Sequence, residues 1–248
     1  MNSRGCIVIP CHLASKRFPG KALAKGYKTE DALLKQTYNL IKNNIKNYDL
    51  YVLTDTKDII DYCEKNNLSY VISGKANNGT ERLCSVLNKL DYEYYCIWQV
   101  DYPYFSDQDL YTIQIVLDDY KNLVTLNINE LTTFYYKKEK EKPYKNDKND
   151  VKCLMCLDKS RGNYISNFVR YNLMSQELDY IHIGIYIYGR EVLFKYNFST
   201  MIFEKEKNCF YNNWDSLEQK GFLRLGYLFR GIELTNAVSI NTLEDLLK

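Results

Sequence analysis

Strand-like and helix-like segments alternate along the first half of this chain, and this alternation restricts the folds that it can adopt. Short apolar runs predict strands at Cys6–Pro10, Asp49–Thr54, Ser69–Ile72 and Tyr94–Val100. Helical spacing and helix-opening residues predict helices at Thr29–Asn43, Asp58–Asn66, Gly79–Leu90 and Ser106–Tyr120. Because strands joined by helical crossovers pair in parallel, we predict an α/β domain with a mostly parallel central sheet flanked by helices.

The residues that follow the predicted strands are the first candidates for a binding site. In open α/β sheets, ligands bind beyond the carboxyl ends of the strands. Here those ends are followed by Pro10–Lys21, Thr54–Asp55 and Gln99–Pro103. We therefore expect these three segments to lie together. Thr29 is the expected N-cap of the first helix.

The segment Pro10–Lys21 is typical of a strand that leads into a phosphate-holding loop. Ser15, Arg17 and Lys21 supply hydrogen-bond donors, and Gly20 lets the backbone approach a ligand closely. The spacing differs from both G-x-x-x-x-G-K-[ST] and G-x-G-x-x-G. An ordinary surface loop with basic residues is the alternative interpretation.

Three further stretches carry groups that suit a nucleotide site. Asp101, at the end of a central strand, suits Mg²⁺ held jointly with substrate phosphates, although turn aspartates have the same pattern. Small polar residues at 77–82 open a helix and offer backbone N–H groups, as ordinary caps also do. His182 lies in a strand-like segment and is one of two histidines in the chain. Taken alone, it would be interpreted as structural.

The second half of the chain is less regular. Residues 154–157 and 180–188 predict strands, while 213–225 and 242–248 predict helices. The charged run at 137–149 contains Pro143 and is predicted to be a solvated loop. We find no internal repeat and no linker that marks a domain boundary, so we predict a single domain over residues 1–248.

Composition limits the classes of partner and compartment. The formal net charge of the 248 residues is +2, which gives no bulk electrostatic reason to expect binding to nucleic acid or a membrane surface. No apolar run approaches the ~20 residues that a membrane span needs. The first residues do not have the cationic and apolar regions of a secretory signal. With reduced cysteines expected, we predict a cytoplasmic protein.

Cys153 and Cys156 form a C-x-x-C pair that could bind zinc or take part in redox chemistry. The surrounding segment 151–157 is apolar and strand-like, and residues three apart on a strand point to opposite faces. No second C-x-x-C accompanies it. We therefore interpret both cysteines as parts of a strand.

Taken together, the motifs resemble those of the CMP-Kdo synthetases (3-deoxy-manno-octulosonate cytidylyltransferases), of which this chain would be a divergent member. H-I-G-I-Y of that family is matched outright by residues 182–186. I-P-A-R, S-R-L-P-G-K and A-T-D are similar to residues 9–12, 16–21 and 53–55, and S-G-T-D-R and Q-G-D-E-P to 78–82 and 99–103. L-E-Q-L-R and D-T-P-E-D-L are similar to 217–221 and 241–246. The resemblance covers nearly the whole chain.

The resemblance implies the nucleotide-diphospho-sugar transferase type of fold, with a Rossmann-like sheet and a small β-rich dimerisation subregion. It implies transfer of CMP from CTP to a 2-keto-3-deoxy sugar acid, with release of pyrophosphate and with Mg²⁺ as cofactor. The nucleotide-binding half would be about 1–125, and the sugar-binding and dimerisation half about 126–248. A homodimer would form through some of residues 125–180.

The resemblance also implies roles for individual residues. Lys21, Gln99 and Asp101 would be catalytic, and Asp101 and Asn241 would be the metal positions. The nucleotide would contact Pro10, His12, Ser15, Arg17, Lys21, Gly79, Thr80 and Arg82. The sugar acid would contact Gln99, His182, Tyr186, Glu218 and Gln219.

Several positions depart from the family pattern. Asn241 stands where the family has a second metal-binding aspartate, and His12 replaces the arginine of I-P-A-R. Val100 and Tyr102 replace the glycine and glutamate of Q-G-D-E-P. Asn167 replaces an arginine expected near the sugar carboxylate. Two alternatives therefore stay open: a homologue that binds nucleotide or sugar without transfer, and a nucleotidyltransferase for another sugar or base.

Overall fold

The fold is built on one nine-stranded sheet, seen in a computed structural model that describes residues 4–15, 17–26, 29–123, 130–138, 150–158, 162–169, 180–205 and 217–247. The strands are β1 (Gly5–Pro10), β2 (Asp49–Thr54), β3 (Tyr70–Ile72), β4 (Tyr94–Trp98), β5 (Glu130–Lys137), β6 (Lys152–Asp158), β7 (Gly162–Val169), β8 (Tyr180–Gly189) and β9 (Leu228–Leu234). The helices are α1 (Leu33–Asn44), α2 (Lys57–Asn66), α3 (Gly79–Cys84), α4 (Asp107–Leu123), α5 (Arg190–Lys205), α6 (Glu218–Arg224) and α7 (Leu243–Leu246). A 3₁₀ turn covers Lys21–Leu23.

The sheet combines a parallel part with a mixed part. Its strand order is β3-β2-β1-β4-β8-β5-β9-β7-β6, and β1 to β4 pair in parallel. β8 is antiparallel to both β4 and β5, whereas β9 is parallel to β5. Lys152 of β6 also lies opposite Ile181 of β8, so β8, β5, β9, β7 and β6 form a closed ring. The predicted α/β fold is confirmed, and its parallel pairing is concentrated in the first half.

The central strands are apolar on both faces because helices cover both sides of the sheet. The side chains of Cys6–Ile9 on β1 are at most 1% exposed, and every residue of β4 is buried. Ile7 and Ile9 pack with the helices α1, α2 and α4, whereas Cys6 and Val8 pack with α3, α5 and α6. This two-sided burial leaves the strand ends as the place where polar groups can gather.

The predicted elements of the first half are found close to their expected positions, with two differences. The helix predicted over 79–90 ends at Cys84 and continues as turns. The prediction that Thr29 caps the first helix is wrong, because the helix begins at Leu33 and Ala32 occupies its N-cap position. The Thr29 hydroxyl instead accepts the N–H of Asp31 at 3.1 Å, which forms a local turn before the helix.

In the second half, the predicted strands at 154–157 and 180–188 are parts of β6 and β8. The terminal helix is also found, where Thr242 and Asp245 form a capping box at the start of α7. Residues 139–149 of the charged run and 213–216 of the predicted helix lie outside the described residues. β5, β7, β9 and α5 were not predicted.

The two cysteines of the C-x-x-C pair lie on β6, as predicted. Cys153 is completely buried and Cys156 is exposed, which confirms that they face opposite sides of the strand. Burial raises the pKa of the Cys153 thiol far above its ordinary value, so this side chain is part of the core.

The start of α4 depends on one buried carboxylate. Asp109 is 2% exposed and accepts hydrogen bonds from the Ser106 hydroxyl and from the backbone N–H and hydroxyl of Thr235, each at 2.7 Å. We expect Asp109→Ala to lower the free energy of unfolding by about 2–3 kcal/mol, because it removes three hydrogen bonds that a buried carboxylate accepts. Urea unfolding measures this effect.

The matched control is Asp107→Ala in the same helical turn, where the side chain is exposed. We expect it to cost less than about 0.5 kcal/mol. Equal losses for the two variants would contradict the assigned role of Asp109.

Candidate active site

A cleft of about 600 Å³ lies beyond the carboxyl ends of β1 and β4. The structure brings the predicted site residues together in this cleft, with Thr80 as the exception. The wall contains Pro10, His12, Ser15, Arg17, Lys21, Gly79, Arg82, Gln99, Asp101, His182, Tyr186, Glu218, Gln219 and Asn241. The loop after β1 therefore lies across a shared space from the H-I-G-I-Y segment of β8.

A buried ion pair joins two sides of the cleft. Lys21 Nζ donates to Asp101 Oδ2 at 2.8 Å, and each residue is 8% exposed. Gly20, with φ of 75°, turns the chain into the 3₁₀ helix that carries Lys21, and this left-handed conformation favours glycine. The backbone carbonyl of Asp101 accepts the N–H of Ile240 at 2.9 Å, which ties this segment to the one that carries Asn241.

Arg82 is held in place before any ligand arrives. It is 3% exposed, and its Nη1 donates to Asp55 Oδ1 at 2.8 Å and to Ser73 Oγ at 2.6 Å. Asp55 was expected near the site because it follows β2; the structure places it behind the cleft wall, where it bonds to Arg82. The guanidinium is thus a fixed positive group at the edge of the cleft.

Thr80 and Glu218 form a structural contact beside the cleft. Thr80 is completely buried, and its backbone N–H donates to Glu218 Oε2 at 3.0 Å. Burial raises the pKa of Glu218, and the hydrogen bonds from Thr80 oppose that rise. The predicted contact of Thr80 with nucleotide therefore has no surface in the described cleft, whereas Glu218 lines it.

The far wall of the cleft is formed by a bulge in β8. Thr133 of β5 lies opposite Tyr186 and Phe134 lies opposite Ile183, so β8 carries two extra residues between these pairs. His182 Nε2 lies 2.9 Å from Thr133 Oγ1, and the Thr133 hydroxyl donates to the carbonyl of Ile185 at 2.7 Å. Bulges of this kind redirect side chains near functional sites.

A hydrogen bond and a ring contact, both made by Tyr186, complete this wall. Gln219 Nε2 donates to the hydroxyl of Tyr186, and both side chains are nearly completely buried. The ring of Tyr186 lies 5.1 Å from that of His182. Burial lowers the pKa of His182 to about 3, so its ring is neutral at pH 7.

Gln99 and Tyr102 pack directly over Gly184. The backbone N–H of Gln99 donates to the Gly184 carbonyl at 3.0 Å. A Cβ atom at position 184 would lie 2.8 Å from Gln99 Oε1 and from Tyr102 Cε2. The glycine of H-I-G-I-Y is thus required by close packing, because both side chains occupy the space of a larger residue.

His12 supplies less positive charge than the arginine found in the resembling family. Partial burial of its ring and the positive charge of Arg82 lower the pKa of His12, with Asp55 opposing and Lys21 adding to this effect. Because the ordinary value is about 6.5, His12 is neutral at pH 7. It can donate a hydrogen bond to a phosphate oxygen but adds no charge there.

The donor set near Asp101 fits a hard divalent cation. Asp101 contributes a carboxylate, and Asn241 contributes an amide that donates from Nδ2 to Ser239 Oγ at 2.8 Å. Asp101, Asn241 and Ser239 all line the cleft. Oxygen atoms from one carboxylate and one amide, completed by substrate phosphates and water, are suitable ligands for Mg²⁺.

Sequence reasoning did not identify several residues of the wall. The described cleft also contains Tyr136 of β5, Asp150, Ile181 and Leu217. Tyr136 lies near the end of β5, a strand that was not predicted. Asp150 directly follows the charged run at 137–149, which was interpreted as a solvated loop. Thr133 was also missed, although its position before an aromatic run in a β-rich segment was a usable signal.

These features define a nucleotidyltransferase-type α/β protein, with a loop of basic residues facing an aromatic wall. The family model described as cytidylyltransferase matches residues 6–231. The chain belongs to the cytidylyltransferase family and is a nucleotidyltransferase. The resemblance inferred from the motifs is thereby confirmed.

Similar proteins agree along nearly the full chain. The 3-deoxy-manno-octulosonate cytidylyltransferase of Chlorobium phaeovibrioides is 28% identical over 251 residues, which cover 98% of this chain and 94% of the relative. The protein of the same name from Chlamydia pneumoniae is 28% identical over 226 residues, covering 89% and 82%.

Among solved structures, a CMP:2-keto-3-deoxy-manno-octonic acid synthetase complexed with CTP has a TM-score of 0.70 at 21% identity, covering 96% of this chain and 93% of that one. The inositol-1-phosphate CTP transferase of T. maritima has a TM-score of 0.59 at 14% identity, covering 99% and 92%. At these identities the structures establish the shared fold.

Close packing at Gly184 can be tested by adding a single methyl group. We expect Gly184→Ala to lower the free energy of unfolding by about 1–3 kcal/mol, because the new Cβ must displace Gln99 or Tyr102. Urea unfolding measures the difference.

Gly189→Ala on the same strand is the matched control, since its Cβ would meet only Val192 Cγ2 at 3.9 Å. We expect that variant to change stability by less than about 1 kcal/mol. If the two substitutions lowered stability equally, the packing of Gln99 and Tyr102 over Gly184 would not be what requires glycine at this position.

Proposed function

We propose that this protein transfers CMP from CTP to a 2-keto-3-deoxy sugar acid, Kdo or a closely related sugar, and releases pyrophosphate. The observation that carries the proposal is the single cleft in which Lys21, Asp101 and Gln99 lie between the loop after β1 and the wall around His182. Relatives that cover nearly the whole chain are named for this reaction, which supports the same assignment here.

The reaction is an in-line displacement at phosphorus. The anomeric hydroxyl oxygen of the sugar attacks the α-phosphorus of CTP, its proton leaves to solvent or a base, and the bond to pyrophosphate breaks. Such reactions depend mainly on positioning and charge neutralisation. Arg17 and Lys21 neutralise the triphosphate, and Gln99 lies beside the reacting groups.

The two ends of the cleft bind the two substrates. Nucleotide contacts are assigned to Pro10, His12, Ser15, Gly79 and Arg82, with Thr80 supporting the site from behind through Glu218. The sugar acid is assigned to the wall formed by His182, Tyr186, Glu218 and Gln219. On this assignment, residues 1–125 mainly hold nucleotide and residues 126–248 mainly hold sugar.

Mg²⁺ is the proposed cofactor, held by Asp101 and, more weakly, by the amide of Asn241. When bound, it would neutralise developing charge on the phosphate oxygens. Asp101 also holds Lys21 at 2.8 Å, so this carboxylate orients the lysine toward the same region of the cleft. Asn241 is hydrogen-bonded to Ser239, which fixes the direction of its amide.

A homologue that binds ligands without transfer is the second candidate function. Two observations favour it: Asn241 replaces a carboxylate with a neutral amide, and His12 is neutral at pH 7. Such a protein would be stabilised against heat by nucleotide but would release no pyrophosphate. A nucleotidyltransferase for another base or sugar is the third.

Pyrophosphate release separates these functions. The purified protein is incubated with Mg²⁺, a panel of keto-acid sugars, and CTP, UTP, GTP or dTTP in turn. Release with CTP and a 2-keto-3-deoxy sugar acid supports the proposal. Release with another nucleotide favours the third function, and thermal stabilisation by nucleotide without release from any mixture favours the second.

The oligomeric state and compartment remain predictions. We propose a homodimer through part of residues 125–180, in keeping with the β-rich segment that contains β6 and β7. No helix in the described ranges is both long enough and apolar enough to cross a membrane. A cytoplasmic location is proposed from the expected reduced cysteines, and the lack of a nucleic-acid or membrane partner is proposed from the balanced charge.

Asp101→Asn tests the assigned metal ligand. The amide keeps the shape of the side chain but removes the charge that holds both Lys21 and the cation, so we expect kcat to fall by roughly 100-fold. Steady-state pyrophosphate release measures kcat, and circular dichroism checks the fold. Asp107→Asn, at an exposed site, is the control and should leave kcat unchanged. Unchanged activity in Asp101→Asn would exclude Asp101 as a ligand.

Asn241→Asp tests the departure from the family. A second carboxylate binds Mg²⁺ better than an amide, so we expect the Mg²⁺ concentration for half-maximal activity to fall by roughly 10-fold. A Mg²⁺ titration of initial rates measures it. Asn43→Asp adds the same charge at a remote exposed position and should have no effect. If both variants behave alike, position 241 does not contribute to the metal site.

A further inference from the structure

We propose that Thr133 is a positioning residue that holds His182 in the tautomer with hydrogen on Nε2, so that Nδ1 accepts a hydrogen bond from a hydroxyl group of the sugar. The inference rests on the proposed function, since it concerns the sugar end of the same cleft. It assigns a role to a residue of β5 that lies behind the wall.

Counting hydrogens at Thr133 determines the tautomer. The Thr133 hydroxyl has one hydrogen, and it is donated to the carbonyl of Ile185 at 2.7 Å, an atom that can only accept. His182 Nε2 lies 2.9 Å from the same hydroxyl oxygen. That contact is a hydrogen bond only if Nε2 donates. In a neutral imidazole, Nδ1 then carries a lone pair.

The bulge in β8 makes this arrangement rigid. The two extra residues of β8 lie between the pairs Thr133–Tyr186 and Phe134–Ile183, and the carbonyl of one of them, Ile185, accepts a hydrogen bond from the Thr133 side chain. The His182 ring is also packed edge-on against Phe168, with 5.1 Å between ring centroids. Thr133 and His182 are both buried, so water does not compete strongly for their hydrogen bonds.

The protonation state of the ring does not change near neutral pH. Burial lowers the pKa of His182 to about 3. Within the described ranges, His182 has no hydrogen-bonded carboxylate that would favour the charged ring. His182 therefore acts as a fixed neutral group, rather than as a general acid or base.

A hydrogen-bond acceptor in the wall determines which group of the sugar acid can lie against it. His182 lines the cleft, and a sugar hydroxyl can donate a hydrogen bond to Nδ1. A carboxylate or phosphoryl oxygen would instead place its own lone pairs against that of the ring. The carboxylate of a sugar acid is therefore directed away from His182, and a hydroxyl of the sugar is directed toward it.

Nitrogen NMR of labelled histidine tests the tautomer without any substrate. The chain has two histidines, so His12→Gln leaves the signals of His182 alone. We expect a directly bonded hydrogen on Nε2 and none on Nδ1. Hydrogen on Nδ1 would overturn the proposal.

Variants at Thr133 test whether its hydroxyl group determines the tautomer of His182. Thr133→Val keeps the shape but removes the acceptor, and we expect it to change the His182 nitrogen signals, whereas Thr133→Ser should preserve them. Thr132→Val is the matched control, because the neighbouring Thr132 hydroxyl is buried with no hydrogen-bond partner in the described residues. If Thr133→Val leaves the signals as they were, Thr133 does not set the tautomer. If it fails to fold, Thr133→Ala and Thr133→Ser provide the same comparison.

Steady-state kinetics test the consequence for the sugar. We expect Thr133→Val to raise KM for the sugar about 10-fold, the loss of one hydrogen bond, while KM for CTP changes less than about 2-fold. Thr133→Ser should restore the sugar KM. Equal changes in both KM values would overturn the assignment to the sugar. Lack of turnover with every sugar would defeat the proposed function, whereas the NMR result decides the tautomer independently.

Discussion

The antiparallel pairing of β8 with β4 is the contact on which the site depends. Trp98 of β4 lies opposite Ile185, and the next N–H, that of Gln99, bonds to the Gly184 carbonyl. This register places the end of β4, with Gln99 and Asp101, against the wall that carries His182. A shift by one residue would turn His182 and Tyr186 to the other face of the sheet, because side chains alternate along a strand.

Charge in the cleft is arranged in matched pairs. Lys21 is bonded to Asp101, and Arg82 is bonded to Asp55. Both cations are buried, and a buried charge without a partner is costly. These pairs keep the cations in defined positions in the free protein, so binding an anionic ligand needs a change of partners rather than the ordering of long flexible side chains.

The parallel half of the fold could be predicted from the sequence, because β1 and β4 are continuous apolar runs buried on both faces and the segments between them have helical spacing. The segments around Lys21 and Asp101 were predicted to meet because both follow strands of the parallel sheet, whereas His182 was added to the site only through the family resemblance. β5, β7 and β9 were missed because polar and aromatic residues are mixed in them, as in Thr132 and Thr133 beside Phe134. Their pairing depends on partners distant in sequence, which a local pattern cannot show. The burial of Thr80 could not be predicted either, because its N–H bonds to Glu218, an acceptor 138 positions away in the sequence.

The closed ring of β8, β5, β9, β7 and β6 has a consequence for how the protein forms. β9 lies between β5 and β7, yet it is the last strand in the described chain. During synthesis the ribosome must release Leu228–Leu234 before β9 can join those two strands, whereas the parallel pairs among β1 to β4 all lie within the first hundred residues. The side of the cleft that carries the loop after β1 can therefore take shape early on the nascent chain, and the ring behind the wall around His182 closes only after β9 has been synthesised.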